Sequence, residues 1–225
     1  MNPAVRSVSS RHSDPVDPSV RLFWLPLGAG GHSVRWNGRI FEWFVARREH
    51  RTPCPLYHSA LEVQLGRERH VIEMAPVWAG SEDHGAVLVG PVGARWLGRS
   101  PLFRYEVRRW RNGSIPDADR AVDSPQILEP SQVRAQQLLD LVPQVPALTW
   151  GRDELGTGDM WNSNSLVSWL LARSGHEVSG IAPPQGGRAP GWQAGLVLAE
   201  RQAHGTSGGE REDLRPSSPR LSALP

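Results

Sequence analysis

Apolar residues in the first half of the chain recur with period two. In LYHSALEVQL, residues 56–65, Leu61, Val63 and Leu65 fall on one side and His58, Ala60, Glu62 and Gln64 on the other, the pattern of a half-buried strand. VRLFWLPL (20–27), RHVIEMAPVW (69–78), GAVLVG (85–90) and LFRYEVRRW (102–110) read as further strands. SVRWNGRIFEWFVARR (33–48) carries Asn37-Gly38 between two such runs, a hairpin signal. Further along, the period changes. EPSQVRAQQLLDLV (129–142) spaces Val133, Leu138, Leu139 and Val142 at helical intervals, with Ser131 as a cap and Pro143 and Pro146 as stops. MWNSNSLVSWLLARSG (160–175) predicts a second helix that buries Leu166, Val167, Leu170 and Leu171 and stops at Gly175. PPQGGRAPGWQAG (183–195) reads as a Gly/Pro loop, and LVLAER (196–201) as a last strand or short helix. Strands first and helices afterwards predict an α+β fold: an antiparallel sheet from the N-terminal half, packed by two or three helices from the C-terminal half.

The two ends break both periods. Residues 1–19 and 203–225 are rich in Ser, Pro, Gly and charged side chains and offer little to bury, so both are expected to be disordered tails around a single domain at 20–202. The chain has 225 residues, enough for one sizeable domain with tails. All 25 basic residues are arginine, and the formal net charge is only +2, too small a balance to argue for a nucleic-acid partner. The local cluster of Arg104, Arg108, Arg109 and Arg111 is interleaved with aromatics and Glu106, which fits a strand with one solvated face. The single cysteine, Cys54, excludes an internal disulfide. The N-terminus lacks an apolar core of signal-peptide length, and no stretch reaches the roughly 18 apolar residues of a membrane span. The expectation is a soluble cytoplasmic protein with no cofactor, no metal, no nucleic-acid partner and no membrane span, acting on or holding a small-molecule or peptide ligand.

Three places set polar side chains into apolar surroundings. His58 stands in mid-strand. Glu73 stands in the middle of the next apolar run, where a carboxylate must be paired or face a cleft. Ser163, between Asn162 and Asn164, opens a helix. A capping cluster explains the last group, but the same geometry also suits an anionic nucleophile or oxyanion at the positive helix end. Ser163 shares a helix face with Leu166, Val167 and Leu170 and is expected to point inward. Trp161 and Trp192 are the two tryptophans expected near a cleft. His32, after a glycine run, lacks the strand and helix that a nucleotide loop needs. His58 and His70 lack a third ligand for zinc.

The order of these residues gives a resemblance. YHSALEV, VIEM and WNSNSLVSWLL follow one another as strand, strand and helix start, and residues 55–175 thereby resemble the circularly permuted branch of the papain-like (NlpC-type) superfamily, which includes lecithin:retinol acyltransferase-like proteins. The resemblance implies a hydrolase or acyltransferase acting on an amide, ester or thioester. His58 would be the general base, Glu73 its orienting partner and Ser163 the nucleophile. Asn162 or the Ser163 backbone N–H would serve the oxyanion, and Asn164, Trp161 and Trp192 would line the substrate site. Serine stands where that family has cysteine. A thiol near pH 8.5 yields thiolate to a neighbouring histidine, whereas a hydroxyl needs the base aligned during attack. The alternative expectation is a non-catalytic ligand- or protein-binding module on the same scaffold.

Overall fold

The computed structural model describes residues 17–27, 54–77, 85–115 and 117–209, with side chains through 204. The expected hairpin at 33–48, His32 and most of both expected tails lie outside the described residues. Strands β1 (Ser19–Pro26), β2 (Tyr57–Leu65), β3 (Glu68–Pro76), β4 (Ala86–Pro91), β5 (Arg104–Arg111) and β6 (Gln126–Ile127) form one sheet in the order β4-β5-β3-β2-β1-β6. Every strand pairing in it is antiparallel. Helices α1 (Gln132–Leu141), α2 (Ser163–Arg173) and α3 (Trp192–Gly209) follow in the second half. The α+β architecture expected from the two periods is present.

Alternation divides the sheet into two faces. On one, Leu22, Tyr57, Leu61, Ile72, Met74 and Val107 pack with Leu138 and Leu139 of α1 and Leu166, Val167 and Leu170 of α2 in the main core. On the other, Leu25, Ala60 and Val71 form a smaller cluster with Ile115 from the segment after β5. That second face also carries charge. Glu62 accepts from Arg21 at 2.9 Å and from Arg69 at 3.5 Å, and Arg108 reaches both Glu73, at 3.2 Å, and Glu106. Glu62, Glu73 and Glu106 are all buried, so pairing meets the cost of removing these carboxylates from water.

Several boundaries differ from expectation. The arginine cluster is engaged within the molecule: Arg109 donates to Leu139 O of α1, Arg111 pairs with Glu68, and Arg104 donates to the carbonyls of Gly98 and Arg99. β5 begins at Arg104 and not at 102, because Pro101 opens a 310 turn over Pro101–Phe103. A second 310 turn, Arg95–Arg99, precedes it. Val133, expected on the buried side of α1, is 66% exposed; Ala135 takes its place inside.

The largest correction concerns the C-terminal end. The expected loop at 183–195 ends at Gly191, which takes φ 92°, and helix α3 then runs from Trp192 through Gly209. It continues beyond residue 202, and Trp169 Nε1 of α2 donates to Gln202 Oε1 at 2.8 Å. The expected last strand or short helix at 196–201 is thus the middle of a longer helix, whose buried side is made of Ala194, Gly195 and Ala199, too small to print a strong apolar stripe. Small residues bring α3 close to α2. A Cβ on Gly195 would overlap the Ser165 carbonyl oxygen and the Ser168 hydroxyl. Gly195→Ala should therefore destabilise the protein by about 1–3 kcal/mol in urea denaturation, although alanine is the better helix former.

Candidate functional site

The start of α2 is built by its own sequence. Asn162 is the N-cap: its Oδ1 accepts from the backbone N–H of Asn164 at 2.8 Å and of Ser165 at 3.3 Å, while Ser165 Oγ accepts from Asn162 N at 3.0 Å. This reciprocal pair is a capping box, with serine in place of the usual glutamate or glutamine. The remaining polar atoms reach outward. Asn162 Nδ2 donates to Pro190 O at 2.8 Å, and Ser165 Oγ lies 2.7 Å from Gly191 O. Asn164 is 1% exposed: its Nδ2 donates to Tyr57 O of β2 at 3.0 Å and to Pro190 O at 2.7 Å, and its Oδ1 accepts from Ser59 Oγ at 2.8 Å. Ser168 Oγ, one turn on, bonds Trp192 O at 2.7 Å. From the other side, Asp159 Oδ1 accepts from Gly191 N at 2.7 Å. The crowded asparagines and serines thus tie together three elements: β2, the start of α2 and the entry to α3.

Ser163 is the exception within the group. It is 4% exposed, and its hydroxyl has no hydrogen-bond partner among the described residues. His58 does not supply one. Its neighbours Tyr57 and Ser59 face the helices, as the packing of Tyr57 and the Ser59–Asn164 bond show. By alternation the His58 side chain stands on the opposite face, with Ala60 and Glu62. Burial pushes its pKa down to about 4, against a smaller upward pull from Asp117 in the segment covering that face. The imidazole is therefore neutral at pH 7. Glu73 shares this second face on the neighbouring strand β3, and Arg108 engages its carboxylate. So the structure puts His58 and Glu73 on one side of the sheet and Ser163 on the other.

Trp161 and Trp192 both belong to the helical side. Trp161 is 1% exposed, and its indole N–H has no aligned partner, although it lies beside the Tyr105 hydroxyl. That hydroxyl donates to Leu148 O at 2.7 Å, and burial pushes the phenol up to about 12. Trp192, the first residue of α3, packs against Trp24 with ring centroids 5.2 Å apart. Cys54 is half-buried just ahead of β2.

Sequence reading passed over a second serine–histidine pair. Ser174 Oγ lies 2.9 Å from His176 Nδ1 at the end of α2. The same oxygen is 2.7 Å from Leu170 O and 3.2 Å from Leu171 O, and Ser174 is 1% exposed. Gly175, at φ 76°, lets the chain reverse there. The pair closes the helix end, and burial followed by the charge of Arg134 holds the His176 pKa below its ordinary value. The signal was present in ARSGH, where a serine and a histidine flank the stop glycine.

No family model matches the chain, and neither the curated proteins nor the solved structures hold one detectably similar to it. The description of the site therefore stands on its geometry.

Two outcomes follow from that geometry. Asn164→Ala removes the partner of the Ser59 hydroxyl and the side-chain donor to the Tyr57 carbonyl, leaves Pro190 O with Asn162 alone, and should cost about 2–4 kcal/mol, whereas Ser163→Ala should change stability by less than about 1 kcal/mol; paired urea titrations measure both. The second concerns pH. His58 binds a proton in the unfolded chain near pH 6.5 but in the folded chain only near 4, so the unfolded state takes up more protons between these values. Its contribution is fully present above pH 6.5 and is lost as pH falls toward 4, by up to about 3 kcal/mol. His58→Gln should flatten that part of the stability–pH curve.

Proposed function

We infer that the protein is a non-catalytic binding module. The observation that carries this reading is the placement of His58 and Ser163 on opposite faces of the sheet. General-base activation of a serine needs the two within about 2.6–3.2 Å, or joined by one water. A β-sheet between them blocks both routes.

The other site residues support the same reading. Asn164 and Ser165 commit their side chains to Tyr57, Ser59, Pro190 and Gly191, and Asn162 commits its Oδ1 to the helix cap and an amide N–H to Pro190, roles that belong to structure and not to an oxyanion. Glu73 serves an arginine and not the imidazole. His58, neutral through burial and turned from Ser163, fills the second face as a packing residue. The papain-like resemblance, with its hydrolase or acyltransferase activity, rests on residue order alone. Strand alternation is a different constraint, and it works against the assembly of that triad.

The test is covalent. A fluorophosphonate reacts with a serine only when a neighbouring base activates it. Incubation of the full chain at pH 7, read by intact mass, should give no adduct, while a serine hydrolase run in parallel is labelled completely. An adduct that disappears in Ser163→Ala would overturn the binding reading and restore the enzyme.

A further inference from the structure

Seven large apolar side chains are exposed among the described residues, and five of them fall within residues 87–103: Val87, Val89, Trp96, Leu102 and Phe103. The first two lie on β4, the edge strand of the sheet. The other three lie on the paired 310 turns between β4 and β5. Trp96 is 70% and Leu102 72% exposed, so they project into solvent and do not line a groove.

The turns that carry them are tightly built. Arg104 donates to Gly98 O at 2.6 Å and to Arg99 O at 3.2 Å, which clamps the two turns together. Leu97 N, Ser100 N and Phe103 N donate to the carbonyls of Ala94, Leu97 and Ser100. Phe103 O in turn accepts from Val92 N. Gly98 sits against Pro91, where a Cβ would come within 2.8 Å of the ring. Much of the backbone polarity is thus satisfied internally, which lowers the cost of bringing these tips into an apolar medium.

Charge selects the partner. From Gly85 through Tyr105 there is no acidic residue, while Arg95, Arg99 and Arg104 are present. Arg95 is paired at 2.9 Å with Glu154, and Arg99 is exposed beside it. Projecting Trp, Leu and Phe side chains flanked by arginines complement a surface that is apolar beneath and anionic at its rim. We propose that the Trp96–Leu102–Phe103 ridge docks the protein on an anionic lipid surface, with Trp96 at headgroup level and Arg99 facing lipid phosphates. A protein partner would need a pocket to receive these tips, and the ridge provides no complementary wall of its own. None of these residues belongs to the cluster at the start of α2, so the proposal holds whichever way the fluorophosphonate test falls.

The test uses the full chain and sedimented vesicles, of phosphatidylcholine alone or mixed with phosphatidylglycerol. The chain should bind the mixed vesicles and leave the neutral ones nearly bare. Added salt should weaken that binding. Trp96→Ala/Leu102→Ala should lower the partition coefficient about tenfold or more, and Arg99→Gln about fivefold, with melting curves unchanged because the side chains are exposed. Absence of binding, equal binding to both vesicles, or binding that neither variant reduces would overturn the proposal. So would a dimer in sedimentation equilibrium that the double variant turns into a monomer, since the ridge would then be a contact between two copies of the chain.

Discussion

The carboxamide of Asn164 is the point on which the helical half hangs. One buried side chain accepts from Ser59 on β2, donates to the backbone of Tyr57 on the same strand and donates to Pro190 ahead of α3. An amide so placed has no water to fall back on, so its partners must stay where they are. The position of α2 over β2 and the entry of α3 follow from that requirement. Asn162 and Ser165 repeat it on either side, with bonds to Pro190 and Gly191. The close approach of α3 through Gly195 is the packing counterpart of the same polar anchorage.

The second face of the sheet follows a different rule. There, among the described residues, the apolar cluster is small and the neighbouring positions are carboxylates and arginines, with Arg108 between Glu73 and Glu106 and Glu62 between Arg21 and Arg69. Paired charges of this kind contribute less to stability than an apolar layer would, but removing one partner strands the other. His58 fits this face as a neutral ring, its charged form disfavoured by burial. The sheet thus separates an apolar, helix-covered face from one whose described residues are largely ionic.

Much of this was legible beforehand. Period two placed five strands within a few residues, and the change to helical spacing placed α1 and α2. The inward direction of Ser163 and the pairing of Glu73 also followed from simple costs of burial. What misled was the step from sequence order to spatial convergence. His58 and Ser59 are adjacent, yet alternation sends them to opposite faces, and it is Ser59 that meets the helix start. The strand reading of 56–65 already put His58 with Ala60 and Glu62. Which of the two faces the helices would cover is decided by tertiary packing, which a single strand does not encode. α3 was obscured by its small buried residues, and the turns at 95–103 by apolar side chains that look like strand interior but stand in water.

The bonds around Asn164 join residues 105 and 107 positions apart in the chain. Closing a loop of that length costs chain entropy, which the bonds gained must offset. Each of these bonds ties a strand from the first half of the chain to a helix from the second. The polar cluster at the start of α2 thus acts as a clasp between the two halves of the sequence: without the Asn164 carboxamide, β2 and α2 would lose a hydrogen-bonded join that apolar packing, being non-directional, does not replace.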